Sequence, residues 1–296
     1  MTMVVPFAAG SSSDIVGRVV ASRLSEVLGQ QVIIENIGGA GGMTGANRVA
    51  KAEPDGYQFV LGTGGTHATN QTLYKKPLYN AATDFAPVAL VVEQKIVLVS
   101  RKNLQVDNLK EFAAYAKANQ DKMQYGSPGT GSAPHLACAL LNAALGINIT
   151  HVPYRGAPPA IQDLIAGRID YACLSGTAAI PQIESQTVKA LAILTKDRSP
   201  SFPSLSSAHE QGLPDFHAST WYAIFLPRST PASIVRKLHG AVMATMNTPA
   251  VQERLKEIGT DLVAPERRSP EYLAKFVVSE IDRWAAAIKT AGVSAD

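Results

Sequence analysis

Three segments of this 296-residue chain combine glycine, hydroxyl side chains and a helical pattern immediately downstream. They are Pro6-Phe7-Ala8-Ala9-Gly10-Ser11-Ser12-Ser13-Asp14, Gly62-Thr63-Gly64-Gly65-Thr66-His67 and Gly126-Ser127-Pro128-Gly129-Thr130-Gly131-Ser132-Ala133, each at the end of a short apolar run. Small residues let a ligand approach the backbone, and glycines allow turns that point successive N–H groups inward. A helix start adds unpaired donors and the positive end of a dipole, so such loops suit an anion. Ser175 and Thr177 add hydroxyls after a further apolar run. Any one loop also reads as an ordinary helix cap. The first and third together point to a shared anion site, because a cap needs one hydroxyl and each of these offers three.

The charge pattern narrows the anion. None of the three loops contains Lys or Arg, and no Gly-Lys-Ser/Thr signature occurs, which argues against a nucleotide phosphate loop. The cluster Gly38-Gly39-Ala40-Gly41-Gly42-Met43-Thr44-Gly45 misses the dinucleotide fingerprint, since Thr44 stands where the third glycine belongs, and it follows the second strand rather than the first. Neutral donors match a single carboxylate better than a polyphosphate. Arg155 is the one cation placed near these loops; the other reading is a solvated turn residue. Catalytic constellations are scarce: there is no Gly-x-Ser-x-Gly elbow, and His209-Glu210-Gln211-Gly212-Leu213 fails the His-Glu-x-x-His pattern at its last position. His67 and His135, each near a helix start, fit a packing role or a ligand contact equally. Asp14 fits a general base or, better, a helix-start cap.

The elements that must carry these loops follow from periodicity. Short β-branched runs alternate with helical patterns, the sign of α/β architecture with mostly parallel strands. Strands are expected at Met3–Phe7, Gln31–Glu35, Gln58–Gly62 and Phe85–Val92, with a first helix burying Ile15, Val19, Leu24 and Leu28 and stopping at Gly29. A second α/β set covers helix 109–118, strand 123–126, helix 134–145, strand 149–152, helix 157–166 and strands 169–174 and 190–194. The last quarter is helical over 232–246, 250–258 and 270–291. Ile96–Ser100 and Trp221–Leu226 look like extended connectors between the two sets, so the expectation is a discontinuous first lobe, 1–98 with 222–296, and a continuous second lobe, 99–221. Trp221 and Trp284 read as core.

Composition excludes several classes. Hydrophobic residues make up 46% and charged residues 17%, which disfavours disorder, and a net charge of +3 names no polyanionic partner and no nucleic acid. No uncharged apolar stretch approaches the roughly 18 residues of a membrane span, the best, Pro87–Ser100, being broken by Glu93 and Lys95. Met1-Thr2-Met3 leads straight into a β-like run with no basic region, so no signal peptide is expected within these residues. Two cysteines, Cys138 and Cys173, rule out a thiolate metal cage; two free thiols and one bridge both stay open. No cofactor or metal is expected.

Read together, Met3-Val4-Val5-Pro6-Phe7-Ala8-Ala9-Gly10-Ser11-Ser12-Ser13-Asp14, Glu35-Asn36 before the glycine cluster, Pro54-Asp55-Gly56-Tyr57, Tyr125-Gly126-Ser127-Pro128-Gly129 and His151-Val152-Pro153-Tyr154-Arg155-Gly156 resemble the substrate-binding receptors of tripartite tricarboxylate transporters, the Bug family. The resemblance runs from the first residues to the final helix. It implies a periplasmic two-lobed Venus flytrap of type II-like α/β fold, each lobe a mostly parallel sheet flanked by helices. Such a receptor binds a small carboxylate between its lobes as a monomer, performs no catalysis and hands the ligand to membrane permease subunits. By position it implies ligand contacts from Phe7, Ala9, Gly10, Ser11, Ser12 and Asp14 in one lobe and from Ser127, Gly129, Ser132 and His135 in the other. The far end of the ligand is expected to meet Thr63, Thr66, His67 and Asn70, with Ser175, Thr177 and Ala178.

Two departures from the family pattern bear on selectivity. Ser11-Ser12-Ser13 stand where many relatives have a second glycine followed by Pro or Thr, and Leu174 stands where many carry an acid that anchors a substrate amine. Plain di- or aromatic carboxylates are therefore expected rather than amino acids. Export, which the resemblance implies, would make Cys138 and Cys173 a disulfide candidate. The rival readings are an enzyme on the same two-lobed frame, acting on a carboxylate or phosphate with Asp14 or His135 as base, and a cytosolic ligand sensor.

Overall fold

A computed structural model of the chain describes residues 1–214 and 216–291. It divides into two compact units, the first made of Met1–Glu93, Trp221–Glu257 and the chain from Asp261, the second of Gln94–Thr220 with Ile258–Thr260. The sequence expectation sets the divisions at 98/99 and 221/222. Both crossings lie inside long strands, where no turn residue marks a boundary, and nothing in the sequence sets Ile258–Thr260 apart.

In chain order the first unit begins with β1 (Thr2–Val5), α1 (Ser12–Leu28), β2 (Ile33–Asn36), α2 (Met43–Ala50), β3 (Gln58–Thr63) and α3 (Asn70–Leu73), the last preceded by one wide helical turn, Gly65–Thr69. β4 (Phe85–Arg101) runs into the second unit, which holds α4 (Leu109–Asn119), β5 (Gln124–Ser127), α5 (Ala133–Leu145), β6 (Thr150–Pro153), α6 (Ala157–Ile165), β7 (Tyr171–Ser175), α7 (Gly176–Glu184) and β8 (Val188–Ile193). β9 (Ser219–Pro227) returns to the first unit, followed by α8 (Ala232–Met246), α9 (Pro249–Glu257), β10 (Asp261–Leu262) and α10 (Pro270–Ala291). The expected connectors are thus the interiors of β4 and β9. No described helix is long and apolar enough to cross a membrane.

In the first unit β2, β1 and β3 are parallel, β9 pairs antiparallel with β3, and β10 antiparallel with β4. Met3, Val4 and Val5 are all solvent-free, as in a strand covered on both faces. α1 starts at Ser11, whose Oγ accepts the Asp14 N–H at 3.3 Å, and ends at Gly29, whose φ of 62° suits a residue without Cβ. Its buried face is Ser13, Val16, Gly17, Val20 and Leu24, one step round from the expected Ile15, Val19 and Leu28, which are half-buried. Gly17 explains the shift: a Cβ there would meet Val5 at 3.1 Å and Leu61 at 3.4 Å, so the smallest residue marks the side that lies on the sheet.

In the second unit β6, β5 and β7 are parallel, β4 is antiparallel to β7, and β8 pairs with β4. The two-residue alternation sorts two cores. Ile96, Leu98, Tyr171 and Cys173 pack with Phe112, Cys138 and Leu141 on one face; Val97, Val99, Ala172 and Leu174 pack with Ile161 and Leu164 on the other. Cys173 therefore faces α5, and it is bonded to Cys138 with a Cα separation of 5.7 Å.

Candidate functional site

The loop from β1 to α1 is built around Asp14. Its Oδ2 accepts the Gly10 N–H at 2.8 Å and Arg18 Nε at 3.0 Å, while Oδ1 accepts Asn36 Nδ2 at 3.0 Å. The same Asn36 amide donates to the Phe7 carbonyl at 3.0 Å, so one carboxylate and one amide buckle both ends of the loop. Burial works against ionisation of Asp14, but the hydrogen bonds from Arg18, Gly10 and Asn36, with the Arg18 charge, outweigh it and hold the carboxyl below the usual range. Of the two roles weighed for Asp14, the geometry is that of the structural one. Around it, Phe7 and Ser12 are half-buried, Ala9 and Gly10 exposed, and the Ser11 and Ser13 hydroxyls are 3.2 Å apart. The depressed pKa makes the contribution of Asp14 to stability complete above pH 4 and lost as pH falls through its folded value. Asp14→Asn is expected to cost about 1–2 kcal/mol near neutrality, with the gap to the unsubstituted chain narrowing toward pH 3; urea midpoints at both pH values check it.

Thr63 and Thr66 lie at the same end of the first sheet. They close their turn reciprocally: the Thr63 N–H donates to Thr66 Oγ1 at 2.9 Å and the Thr66 N–H to Thr63 Oγ1 at 3.2 Å. The Thr66 hydroxyl also meets the Thr63 carbonyl at 3.2 Å and His67 Nδ1 at 2.8 Å, which commits it to the turn. His67 is wholly buried and stacked on Phe225 at 4.0 Å, with Phe85 at 4.6 Å. Burial pushes it down to about 3, so it stays neutral, and its Nε2 is buried without a partner. Asn70 Nδ2 donates to the Gly41 carbonyl at 2.9 Å, while its Oδ1 is buried without a partner. A Cβ on Gly42 would strike Thr66 at 2.7 Å and Phe7 at 3.0 Å, so this glycine brings the two loops together.

Beneath them, Trp221 Nε1 donates to Glu280 Oε2 at 2.9 Å, and Trp284 Nε1 to the same oxygen at 3.3 Å. Both indoles are core, as expected. A Cβ on Gly64 would lie 3.2 Å from the Trp221 nitrogen, which places this pair directly under the Thr63–Thr66 turn.

The loop from β5 to α5 repeats the design. Ser132 caps α5 by accepting the His135 N–H at 3.3 Å and donates its own hydroxyl to the Gly129 carbonyl at 2.7 Å. The Gly131 N–H donates to His135 Nδ1 at 3.3 Å, and the Gly129 N–H to Ser127 Oγ at 3.2 Å. Ser127 Oγ is also 2.7 Å from His151 Nε2. The N–H groups of Tyr154 and Gly156 hold the carbonyls of Ser127 and Pro128, each at 3.0 Å, so the turn containing Arg155 is tied to this loop. The Arg155 side chain is exposed and pairs with no acid among the described residues. Burial pushes His135 down to about 3, helped by the neighbouring His151, and His151 down to about 4.

At the end of neighbouring β7, Ser175 and Thr177 are buried with hydroxyls 3.5 Å apart, and Ala178 is half-buried. The backbone here is pressed against another: a Cβ on Gly176 would stand 2.2 Å from the Gly259 carbonyl oxygen. The Cys138–Cys173 bond ties α5 to β7, the two elements from which the second unit's loops spring.

Asn36, His151 and Glu280 were not singled out as site residues from sequence. Their partners lie 22, 24 and 59 positions away, and the signals that existed were the Glu35-Asn36 and His151-Val152-Pro153 motifs. The arrangement gathers glycines, hydroxyls and helix starts at the strand ends with no cation inside any loop, a chemistry suited to an anion. Among the described residues no cluster of His, Cys, Asp or Glu is placed to hold a metal.

The sequence pattern of the tripartite tricarboxylate transporter family receptor, TctC, matches residues 16–293. MatC of Rhodopseudomonas palustris, solved with bound malate, is 39% identical with a TM-score of 0.93 over 97% of this chain and 98% of MatC. The periplasmic binding protein BugD is 38% identical with a TM-score of 0.94 over 99% and 98%, and a second R. palustris protein, solved with adipate, is 35% identical with a TM-score of 0.94 over 99% and 97%. The mixed α/β fold with flanking helices is that of periplasmic binding proteins of this type. On its sequence and its fold alike, the chain belongs to the tripartite tricarboxylate transporter receptor family, whose structural neighbours are the Bug periplasmic binding proteins.

Proposed function

We propose that the chain works in the periplasm as a solute receptor, binding a small organic carboxylate, with dicarboxylates or aromatic carboxylates favoured, and delivering it to the permease of a tripartite tricarboxylate transporter. The observation that carries this reading is the pair of loops 7–14 and 127–135, each a glycine- and hydroxyl-rich turn held by its own side chains between a strand end and a helix start, with no cation among them. Malate and adipate in the two R. palustris relatives support the ligand class. Against the rival reading as an enzyme, its two candidate bases are engaged: Asp14 accepts from three donors and His135 Nδ1 from Gly131. Ser127 and His151 stand at nucleophile–base distance, yet among the described residues no group holds the other nitrogen of His151 to orient it, and an imidazole pushed down to about 4 is a poor base.

A thermal-shift panel of mono-, di-, tri- and aromatic carboxylates tests the reading. A ligand at 100 times its dissociation constant stabilises by about 2.7 kcal/mol, so a binder moves the melting point clearly. We expect both Ser12→Ala and Ser127→Ala to weaken that ligand severalfold, and a flat panel, or full affinity in both variants, sinks the proposal.

A further inference from the structure

We propose that His151 is a positioning residue that sets the direction of the Ser127 hydrogen bond: its Nε2–H donates to the Ser127 hydroxyl oxygen, so that the serine meets a ligand only as a donor and selects an anionic oxygen over an amine. The inference rests on the carboxylate reading above and adds the residue that enforces it. The parallel pairing of β5 and β6 registers Tyr125 opposite His151 and Ser127 opposite Pro153. Alternation puts Tyr125 and Ser127 on one face of β5, so the imidazole lies against the tyrosine and reaches diagonally to the serine. The ring packs against two others, Tyr125 at 4.8 Å and 25° and His135 at 4.2 Å and 31°. Its Nε2 lies 2.7 Å from Ser127 Oγ.

A serine hydroxyl has one proton and two lone pairs. The Gly129 N–H takes one lone pair. If His151 Nε2–H takes the other, only the O–H remains open, which gives a carboxylate a donor and gives an ammonium group nothing. With the opposite tautomer the serine would donate to the imidazole and turn its proton away from the anion. The neighbouring ring is fixed in the same sense, since Gly131 donates to His135 Nδ1 and the neutral His135 carries its proton on Nε2. Burial keeps both rings neutral near pH 7, so the stack involves no charge repulsion.

Two measurements decide it. A long-range 1H–15N correlation spectrum of the unsubstituted chain reads the tautomer directly: a protonated Nε2 and bare Nδ1 on His151 are expected, and the reverse overturns the inference whatever the ligand. Calorimetric titration with malate and adipate then compares variants. His151→Phe is expected to bind about tenfold more weakly, roughly one net hydrogen bond, while His151→Gln, which keeps an N–H at similar reach, recovers most of the loss. In a Ser127→Ala background, His151→Phe should cost nothing more. Unchanged affinity in His151→Phe, or losses that add, overturn the inference. Should that variant fail to fold, His151→Gln with and without Ser127→Ala supplies the same cycle, a full unrescued loss being the adverse result. Failure of the unsubstituted chain to bind either acid counts against the function reading alone, and the tautomer still decides this one.

Discussion

Replacing Cys138 and Cys173 together by alanine is expected to lower the stability of the second unit by about 4 kcal/mol. The bond closes a loop of sequence separation 35, and loop closure at that length removes roughly this much free energy of the unfolded chain in the entropic account. Both cysteines are fully buried in the α5 face of the core, so truncation also leaves their neighbours under-packed. The loss should appear in chemical denaturation as a lower midpoint, and the same shift should follow reduction of the unsubstituted chain. The loops at the ends of these elements feel it too, because β7 leads into Ser175–Thr177 and α5 begins at Ser132. An unchanged midpoint in the double variant would show that the packing of α5 on β7 holds without the bond.

Glu280→Ala is the second large effect. The carboxylate is buried, accepts two indole N–H groups and pairs with Arg283 Nε at 2.9 Å. Its removal leaves Trp221 and Trp284 with buried unsatisfied donors, a loss on the order of 3 kcal/mol or more. Glu280→Gln keeps one acceptor and should cost about half as much. These are the only two tryptophans in the chain, so emission excited selectively at tryptophan reports this network. A red-shifted native emission and an earlier urea transition are expected for the alanine variant; native-like emission with an unmoved transition would mean that aromatic packing alone holds the indoles. Because Trp221 lies under Gly64, the same variant should loosen the Thr63–Thr66 turn.

Much of this architecture is legible in the sequence, and the failures have physical causes. α8 occupies the expected range, and α1 and α5 announce themselves through Ser11 and Ser132 at their starts and Gly29 and Gly146 at their ends, short-range signals that fix φ/ψ locally. α2 does not: Gly38–Gly45 reads as a loop, yet the glycines only wind the chain into a helix whose buried positions are Met43, Gly45, Ala46 and Val49. α7 hides behind Gly176 and Pro181, residues that usually end a helix, and β10 is two residues long. The site divides in the same way. The hydroxyls of Ser11 and Ser132 were visible because caps are local; the restraint of Ser127 by His151 was not, because it depends on strand register. The use of the Thr66 hydroxyl within its own turn and the stack of His67 on Phe225 are not legible in the sequence, because both depend on the turn geometry.

The backbone contact between Gly176 and Gly259 restricts how this receptor can be re-aimed. Gly259 has φ +69° and Gly176 faces its carbonyl, so neither position accepts a larger residue without moving main chain. The Thr260 hydroxyl, held by Gln94 Nε2 at 2.7 Å, pins the strip on its other side. Side chains can therefore change, in evolution or in a laboratory library, at Ser175 and Thr177 on either side of an immovable point. Variants that insert or lengthen at that point should be lost from any selection before their ligand preference is ever sampled.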